Sequence, residues 1–210
     1  MRGPGAAGLG ARPVAAIVVL AAGGSARLRS PKQLVPYRGR SLLRHAVEVA
    51  LAGEQPATGP VVVVLGAAAE RLSPELAGLD VRVVVNDRWE EGLSSSVRAG
   101  LDALASAGAP DAALFTTCDQ PLVTADLLRR IIAAYEASRS PIVACEYAGT
   151  LGVPALFDHS LWGELTELRG DAGARGVIER HLAETVRVPF PDAALDVDSA
   201  GDVRRVEAEE

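Results

Sequence analysis

The chain has few aromatic residues: three Phe, three Tyr and two Trp make up 4% of its 210 residues. A core with so few rings must be assembled from many small aliphatic contacts, and a hydrophobic content of 49% supplies them. Cysteine is scarcer. Cys118 and Cys145 form no C-x-x-C pair, and two thiols cannot make a zinc site without help, so burial is the expectation for both. Nothing in this usage points to an oxidising compartment. An excess of basic residues is also missing. With 21 Lys and Arg against 27 Asp and Glu the formal charge is −6, which argues against general nucleic-acid binding, where a basic face is the rule. A local cationic pocket remains possible. No apolar run approaches the ~20 residues that a membrane helix needs. His45, His159 and His181 are scattered with no shared spacing, so each reads as a surface or packing residue and no Ser-His-Asp arrangement follows. Residues 1–12, rich in Gly, Ala and Arg, lack the placement of a signal peptide's apolar stretch. They read as a flexible N-terminal extension, and the expected location is cytoplasmic.

Short apolar runs alternate with helical patterns. Val14–Leu20, Val61–Leu65, Val81–Val85 and Ala112–Thr116 are β-branched or small and apolar on both faces, the pattern of strands in a parallel sheet covered by helices. Between them lie helical segments at 41–52, about 70–76, 93–107 and 124–138. Strand–helix alternation implies right-handed crossovers and a three-layer α/β/α architecture with a mostly parallel sheet. The last third reads differently, with strands expected at 142–147 and 185–188 and helices at 161–168 and 176–181. It is expected to add edge strands and a lid to the same sheet.

Five stretches carry chemistry. Leu20-Ala21-Ala22-Gly23-Gly24-Ser25-Ala26-Arg27 leaves the end of the first strand. Its lack of bulk lets the backbone approach a ligand closely and present N–H groups to anionic oxygens, and Arg27, Arg29 and Lys32 add positive charge. It matches neither G-x-x-x-x-G-K-[ST] nor G-x-G-x-x-G, and a plain tight turn is the alternative. Asp119, in Thr117-Cys118-Asp119-Gln120-Pro121, stands just past a buried strand at the edge where open α/β sheets bind ligands. A carboxylate there suits magnesium, which in turn binds phosphate oxygens. Thr124 is the better helix N-cap, with Asp126 in the first turn, so Asp119 is not needed as a cap. In Asp196-Val197-Asp198 the two carboxylates share one face of an extended segment; Asp198 as a simple N-cap is the alternative. Ser94-Ser95-Ser96 opens a helix and offers hydroxyls suited to a base edge or ribose, against ordinary capping. Arg169-Gly170-Asp171-Ala172-Gly173-Ala174-Arg175 could close over an acceptor phosphate, with Arg175 making a forked contact, or be a surface turn between two helices.

Taken together these motifs resemble the MobA-like nucleotidyltransferases, a branch of the glycosyltransferase-A-like (nucleotide-diphospho-sugar transferase) fold. The residues that carry the resemblance are Leu20 to Arg27, Pro31-Lys32-Gln33-Leu34, Gly39 to Leu43, Asn86 to Leu101 and Cys118-Asp119-Gln120-Pro121. Gly152 to Phe157, Gly170 to Arg175 and Asp196 to Ser199 complete the set. The similarity is greatest to molybdenum cofactor cytidylyltransferases and runs from about Val14 to the end, so residues 13–210 are expected to form one nucleotidyltransferase domain. The resemblance implies that Leu20, Ala21, Ala22, Gly23, Gly24 and Ser25 wrap the nucleotide, with Lys32 and Arg27 on its triphosphate and Ser96 near the base. It implies Mg²⁺ on Asp119 and Asp198, and catalysis by Arg27, Lys32 and Asp119. Asp171 and Arg175 would bind the acceptor. The implied reaction moves CMP from CTP, or an NMP from another NTP, to a phosphorylated acceptor of the molybdopterin type. A molybdoenzyme or its chaperone is the implied protein partner. A sugar-phosphate acceptor, and a non-catalytic nucleotide- or cofactor-binding module, are the alternatives. The chain departs from the usual pattern at Arg27-Leu28-Arg29, where Arg-Met-Gly is commoner. It departs again at Gly152-Val153-Pro154, where Gly-His-Pro is expected, and at Ser199-Ala200-Gly201, where Thr-Pro-Glu is commoner.

Overall fold

The computed structural model describes residues 14–24, 30–53, 58–191 and 201–202. The expected alternation is present: β1 (Ala15–Ala21), α1 (Leu42–Gly53) and β4 (Thr58–Leu65), with a two-residue hairpin β2 (Pro36–Tyr37) and β3 (Arg40–Ser41) before α1. A short helix α2 (Ala69–Leu72) leads to β5 (Arg82–Val85), then α3 (Leu93–Ser106), β6 (Ala112–Thr117) and α4 (Ala125–Ser138). The last third holds β7 (Ile142–Tyr147), β8 (Thr150–Asp158), α5 (Trp162–Thr166), α6 (Arg175–Arg180) and β9 (Thr185–Pro189).

Seven strands form one sheet in the order β5-β4-β1-β6-β8-β7-β9. All run parallel except β8, which is antiparallel to both of its neighbours. Alternation along the strands divides the core in two. Ile17, Val19, Val61, Val63 and Leu114 face α1 and α4, with Leu43, Val47, Leu128 and Ile131 in the same cluster. Val18, Leu20, Val62, Val64 and Phe115 face the other way, clustering with Val97, Leu101, Leu104, Trp162 and Ile178 of α3, α5 and α6. This is the three-layer arrangement the sequence predicts.

Small side chains let the layers approach closely. A Cβ on Gly100 of α3 would lie 2.8 Å from Val18 Cγ1, and one on Gly53 of α1 would lie 3.1 Å from Leu128 Cβ. A core poor in rings gains its contacts by bringing backbones together. Helix α4 starts as expected: the Thr124 hydroxyl accepts the Leu127 N–H at 3.2 Å.

Two expectations are corrected. Strand β5 is not covered on both faces but lies at the sheet edge, with Val83 and Val85 exposed. The last third does not only extend the edge, because β8, absent from the sequence reading, is inserted between β6 and β7. Gly152 and Pro154 hide it from a pattern search. The ladder accommodates them at an irregularity, where pairing jumps from Ala144–Ala155 to Cys145–Gly152.

Candidate active site

The parallel strands end together at one edge, and the turns after β1, β5 and β6 meet there. After β1, Ala21 and Ala22 are buried while Gly23 and Gly24 reach solvent. The backbone of this turn is braced from a 3-10 turn at Lys32–Leu34. The buried Gln33 amide donates from Nε2 to Ala21 O at 3.0 Å and to Gly23 O at 2.9 Å. Space is tight on the other side: a Cβ on Gly24 would fall 2.8 Å from Trp89 Cζ3. A Cβ on Gly66 would fall 2.6 Å from Ala22 O and 2.8 Å from Trp89 Cβ. Glycine at 24 and 66 therefore makes the slot that seats the Trp89 ring against the turn.

The 3-10 turn that places Gln33 also places Lys32, whose Nζ donates to Asp119 Oδ2 at 2.6 Å. Both side chains are about one-fifth exposed, at 21% and 20%, so the pair faces a cleft rather than open water. Asp119 lies just beyond β6. Its turn is tied down by Thr117 Oγ1 donating to Gln120 Oε1 at 3.4 Å and Gln120 Nε2 donating to Val153 O at 3.3 Å. His45 Nε2 lies 3.0 Å from Pro121 O, a packing role in keeping with the expectation for the histidines. Burial, helped by the Asp119 charge, pushes the Cys118 thiol up to about 12, and burial does the same for Cys145. Both stay neutral thiols, and neither is a nucleophile at physiological pH.

After β5, Asn86 is buried at the start of a network. Its Nδ2 donates to Ser95 Oγ at 2.8 Å and Ser96 Oγ at 3.1 Å, and its Oδ1 accepts the Arg88 N–H at 3.0 Å. Gly92, at φ +93°, precedes α3; a Cβ there would sit 2.4 Å from the Gly170 carbonyl carbon and 2.7 Å from Asp171 N. The Ser94 N–H donates to Gly170 O at 3.1 Å. The 170–171 segment thus rests directly on the start of α3.

These turns enclose one cavity of about 410 Å³. It brings together Leu20, Ala21, Ala22, Gly23, Gly24, Lys32, Ser96, Asp119 and Asp171, nine of the residues singled out from sequence. Ser25, Arg27, Asp196 and Asp198 lie outside the described residues. Arg175 does not join the group. It stands at the start of α6, pairs with Glu179 one helical turn away at 3.2 Å, and lines a separate cavity of about 250 Å³ with Glu146 and Arg187. Gln33, Trp89, Glu90 and Thr117 also line the first cavity. Sequence reasoning gave them no role. Only the position of Trp89 and Glu90 between a strand and a serine-opened helix could have pointed to them. Among the described lining residues Lys32 is the one cation, facing Asp119, Glu90 and Asp171.

The donor set fits a hard divalent cation. Such ions take oxygen ligands, and magnesium keeps several waters while binding one or two carboxylates plus substrate phosphates. Asp119 offers such a carboxylate. Among the described residues no three His, Cys, Asp or Glu side chains converge on one point. No helix among the described residues is long and apolar enough to cross a membrane.

Several known proteins resemble this chain over most of its length. The nicotine blue oxidoreductase of Paenarthrobacter nicotinovorans is 32% identical over 203 residues, spanning 90% of this chain and 94% of its own. The bifunctional protein GlmU of Mycolicibacterium vanbaalenii is 33% identical over 194 residues, but the match spans only 36% of its length. The crystal structure of Rv0371c from Mycobacterium tuberculosis superposes with a TM-score of 0.77 at 32% identity, covering 93% of this chain and 98% of that one. A manganese complex of the same protein gives 0.75 at 29% identity, covering 94% and 100%. The MobA-like NTP transferase domain matches residues 17–186, and the chain therefore belongs to the MobA-like NTP transferase family.

Proposed function

We propose that this chain is a nucleotidyltransferase that moves CMP from CTP to a phosphorylated acceptor of the molybdopterin type, releasing pyrophosphate. The observation that carries the reading is the Lys32–Asp119 pair facing a cavity walled by the bare backbone of Leu20–Gly24. The acceptor's phosphate oxygen attacks the α-phosphorus in line, the bond to the bridging oxygen breaks, and the β- and γ-phosphates leave as pyrophosphate. Such a transfer needs little covalent help from the protein; positioning and charge neutralisation dominate. The turn at 21–24, braced by Gln33, presents backbone to the nucleotide. Lys32 neutralises phosphate oxygens, and Arg27, outside the described residues, is assigned the same task. Asp119 would hold Mg²⁺, with Asp198 as its second carboxylate. When bound, a divalent ion stabilises charge that develops on the phosphates. The manganese complex of Rv0371c supports an oxygen-liganding ion of this class. Asp171 is assigned to the acceptor. Arg175, in a separate cavity, meets the acceptor only if the latter extends beyond the main cavity.

The nearly full-length match to a protein named nicotine blue oxidoreductase favours a second reading, a redox reaction in the same cavity. One experiment separates the two. Pyrophosphate release is measured with CTP, GTP and ATP, a molybdopterin-type acceptor and Mg²⁺, beside oxidation of reduced nicotinamide dinucleotides with nicotine blue as the electron acceptor. Release with CTP above the other nucleotides supports the proposal. Dinucleotide oxidation without pyrophosphate overturns it.

A further inference from the structure

We infer that Asn86 is a positioning residue that fixes the Ser96 hydroxyl as a hydrogen-bond donor into the cavity, so that the site selects an acceptor atom on the nucleoside. The inference rests on reading the cavity as a nucleotide site. Asn86 sits at the end of β5, anchored by its N–H to Leu65 O at 2.8 Å. The orientation of its amide is fixed by chemistry, because Oδ1 accepts the Arg88 N–H at 3.0 Å. The NH₂ must therefore face the serines, and each of its two hydrogens has a target, Ser95 Oγ at 2.8 Å and Ser96 Oγ at 3.1 Å.

The two serines then diverge. Ser95 Oγ passes its own proton to Gly92 O at 2.8 Å and is spent within the protein. Ser96 Oγ receives a hydrogen from Asn86, and among the described residues no acceptor takes its proton. Ser96, not Ser95, lines the main cavity. A hydroxyl can ordinarily donate or accept as its ligand requires. Here Asn86 already meets the oxygen as a donor while the proton has no acceptor among the described residues, so the hydroxyl's unmet capacity is its proton, which turns outward. The matching ligand atom is a lone-pair acceptor: a base carbonyl, a base ring nitrogen or a ribose oxygen.

The test is CTP binding followed through the fluorescence of Trp89, which lines the same cavity. Wild type, Asn86→Leu, Ser96→Ala and the double variant are compared. Each single variant is expected to raise Kd about three- to tenfold, and Asn86→Leu should cost nothing further once Ser96 is Ala. Losses that multiply in the double variant overturn the inference, as does a normal Kd for Asn86→Leu. Should Asn86→Leu not fold, Asn86→Asp carries the test. Its carboxylate captures the serine proton and should weaken CTP about tenfold or more, while weakening inorganic triphosphate clearly less. Equal weakening of the two overturns the inference, because the charge alone would then explain it. Repeating the cycle with 2′,3′-dideoxy-CTP identifies the acceptor atom. A retained loss assigns an acceptor on the base, and an abolished loss assigns the ribose. A wild-type protein that binds none of these ligands overturns the nucleotide reading itself; bound CTP with multiplicative losses overturns only the role of Asn86.

Discussion

The two halves of the sheet are built differently. In β5-β4-β1-β6 every strand points the same way, so the turns that follow them gather at one edge. There they are held by buried, uncharged hydrogen bonds: Gln33 to the β1 turn, Asn86 to the serines, Ser94 N–H to Gly170 O. In β8-β7-β9 the middle of the sheet turns back on itself. The surrounding elements are joined by solvent-exposed ion pairs, Arg187 with Glu146 and Arg180 with Glu164. The parallel half concentrates donors and small residues on one spot. Among the described residues the mixed half lends that spot Asp171 and the Gly170 and Val153 carbonyls. Chemistry is thus expected to be sensitive to the first half and indifferent to most of the second.

The largest effect should come from the ion pair at the cavity. Lys32→Ala and Asp119→Ala are each expected to lower pyrophosphate release by about a hundredfold or more while the thermal transition stays close to wild type. Arg187→Ala, which breaks an ion pair in the other half, should change release less than twofold. Normal metal-dependent turnover in folded Asp119→Ala would remove the catalytic role assigned to the parallel half.

A stability contrast comes next. Gly92 and Gly149 both have positive φ, +93° and +74°. At Gly149 a Cβ meets open space, whereas at Gly92 it strikes the Gly170 backbone at 2.4 Å. Alanine at 149 should cost about 1 kcal/mol of left-handed backbone strain. At 92 the same change must also push the 170–171 segment away, and a loss of about 3 kcal/mol or more in urea unfolding is expected. Equal losses would mean that the 170–171 segment does not rest on α3 in solution. The same segment supplies a third contrast. Asp171→Asn is expected to raise the acceptor KM about tenfold, and Arg175→Ala less than threefold. The reverse order would mean that the acceptor spans both cavities.

Much of this was legible in the sequence, for physical reasons. Strand β1 and the stretches 61–65 of β4 and 112–115 of β6 are buried on both faces and so are uniformly apolar. Thr124 announces the start of α4. Asp119 stands where a strand must end. What escaped were side chains whose partners lie far along the chain. Gln33 braces carbonyls ten and twelve residues away, and nothing local marks a glutamine for that task. Trp89 owes its place to gaps at Gly24 and Gly66. Asp171 and Arg175, four residues apart, part company because a helix begins between them and turns the second away. β8 was hidden by Gly152 and Pro154, residues that a strand tolerates only where its ladder is irregular.

The smallest effect expected lies in the mixed half and depends on pH. Glu164 of α5 accepts from Arg180 and pairs with His181 Nε2 at 2.7 Å. The bond to Glu164 raises the His181 pKa, with Glu184 adding to it. The bonds from Arg180 and His181 lower that of Glu164. A raised histidine stabilises the fold fully below its unfolded pKa of about 6.5 and loses that contribution as pH climbs through the folded value. A lowered glutamate contributes above about 4.5 and loses its share as pH falls through its folded value. The clamp between α5 and the end of α6 is therefore tightest between those limits. The His181 and Glu164 side chains keep 23% and 34% of their surface exposed, so solvent screens the pair and the gain should not exceed about 1 kcal/mol. Urea midpoints at about pH 6 and pH 8.5 should differ more in wild type than in His181→Gln, and salt should erase the excess. A His181→Gln protein with the full wild-type pH dependence would move the titrating group elsewhere. A shift that outlasts high salt would mean that the pair is drier than its exposure indicates.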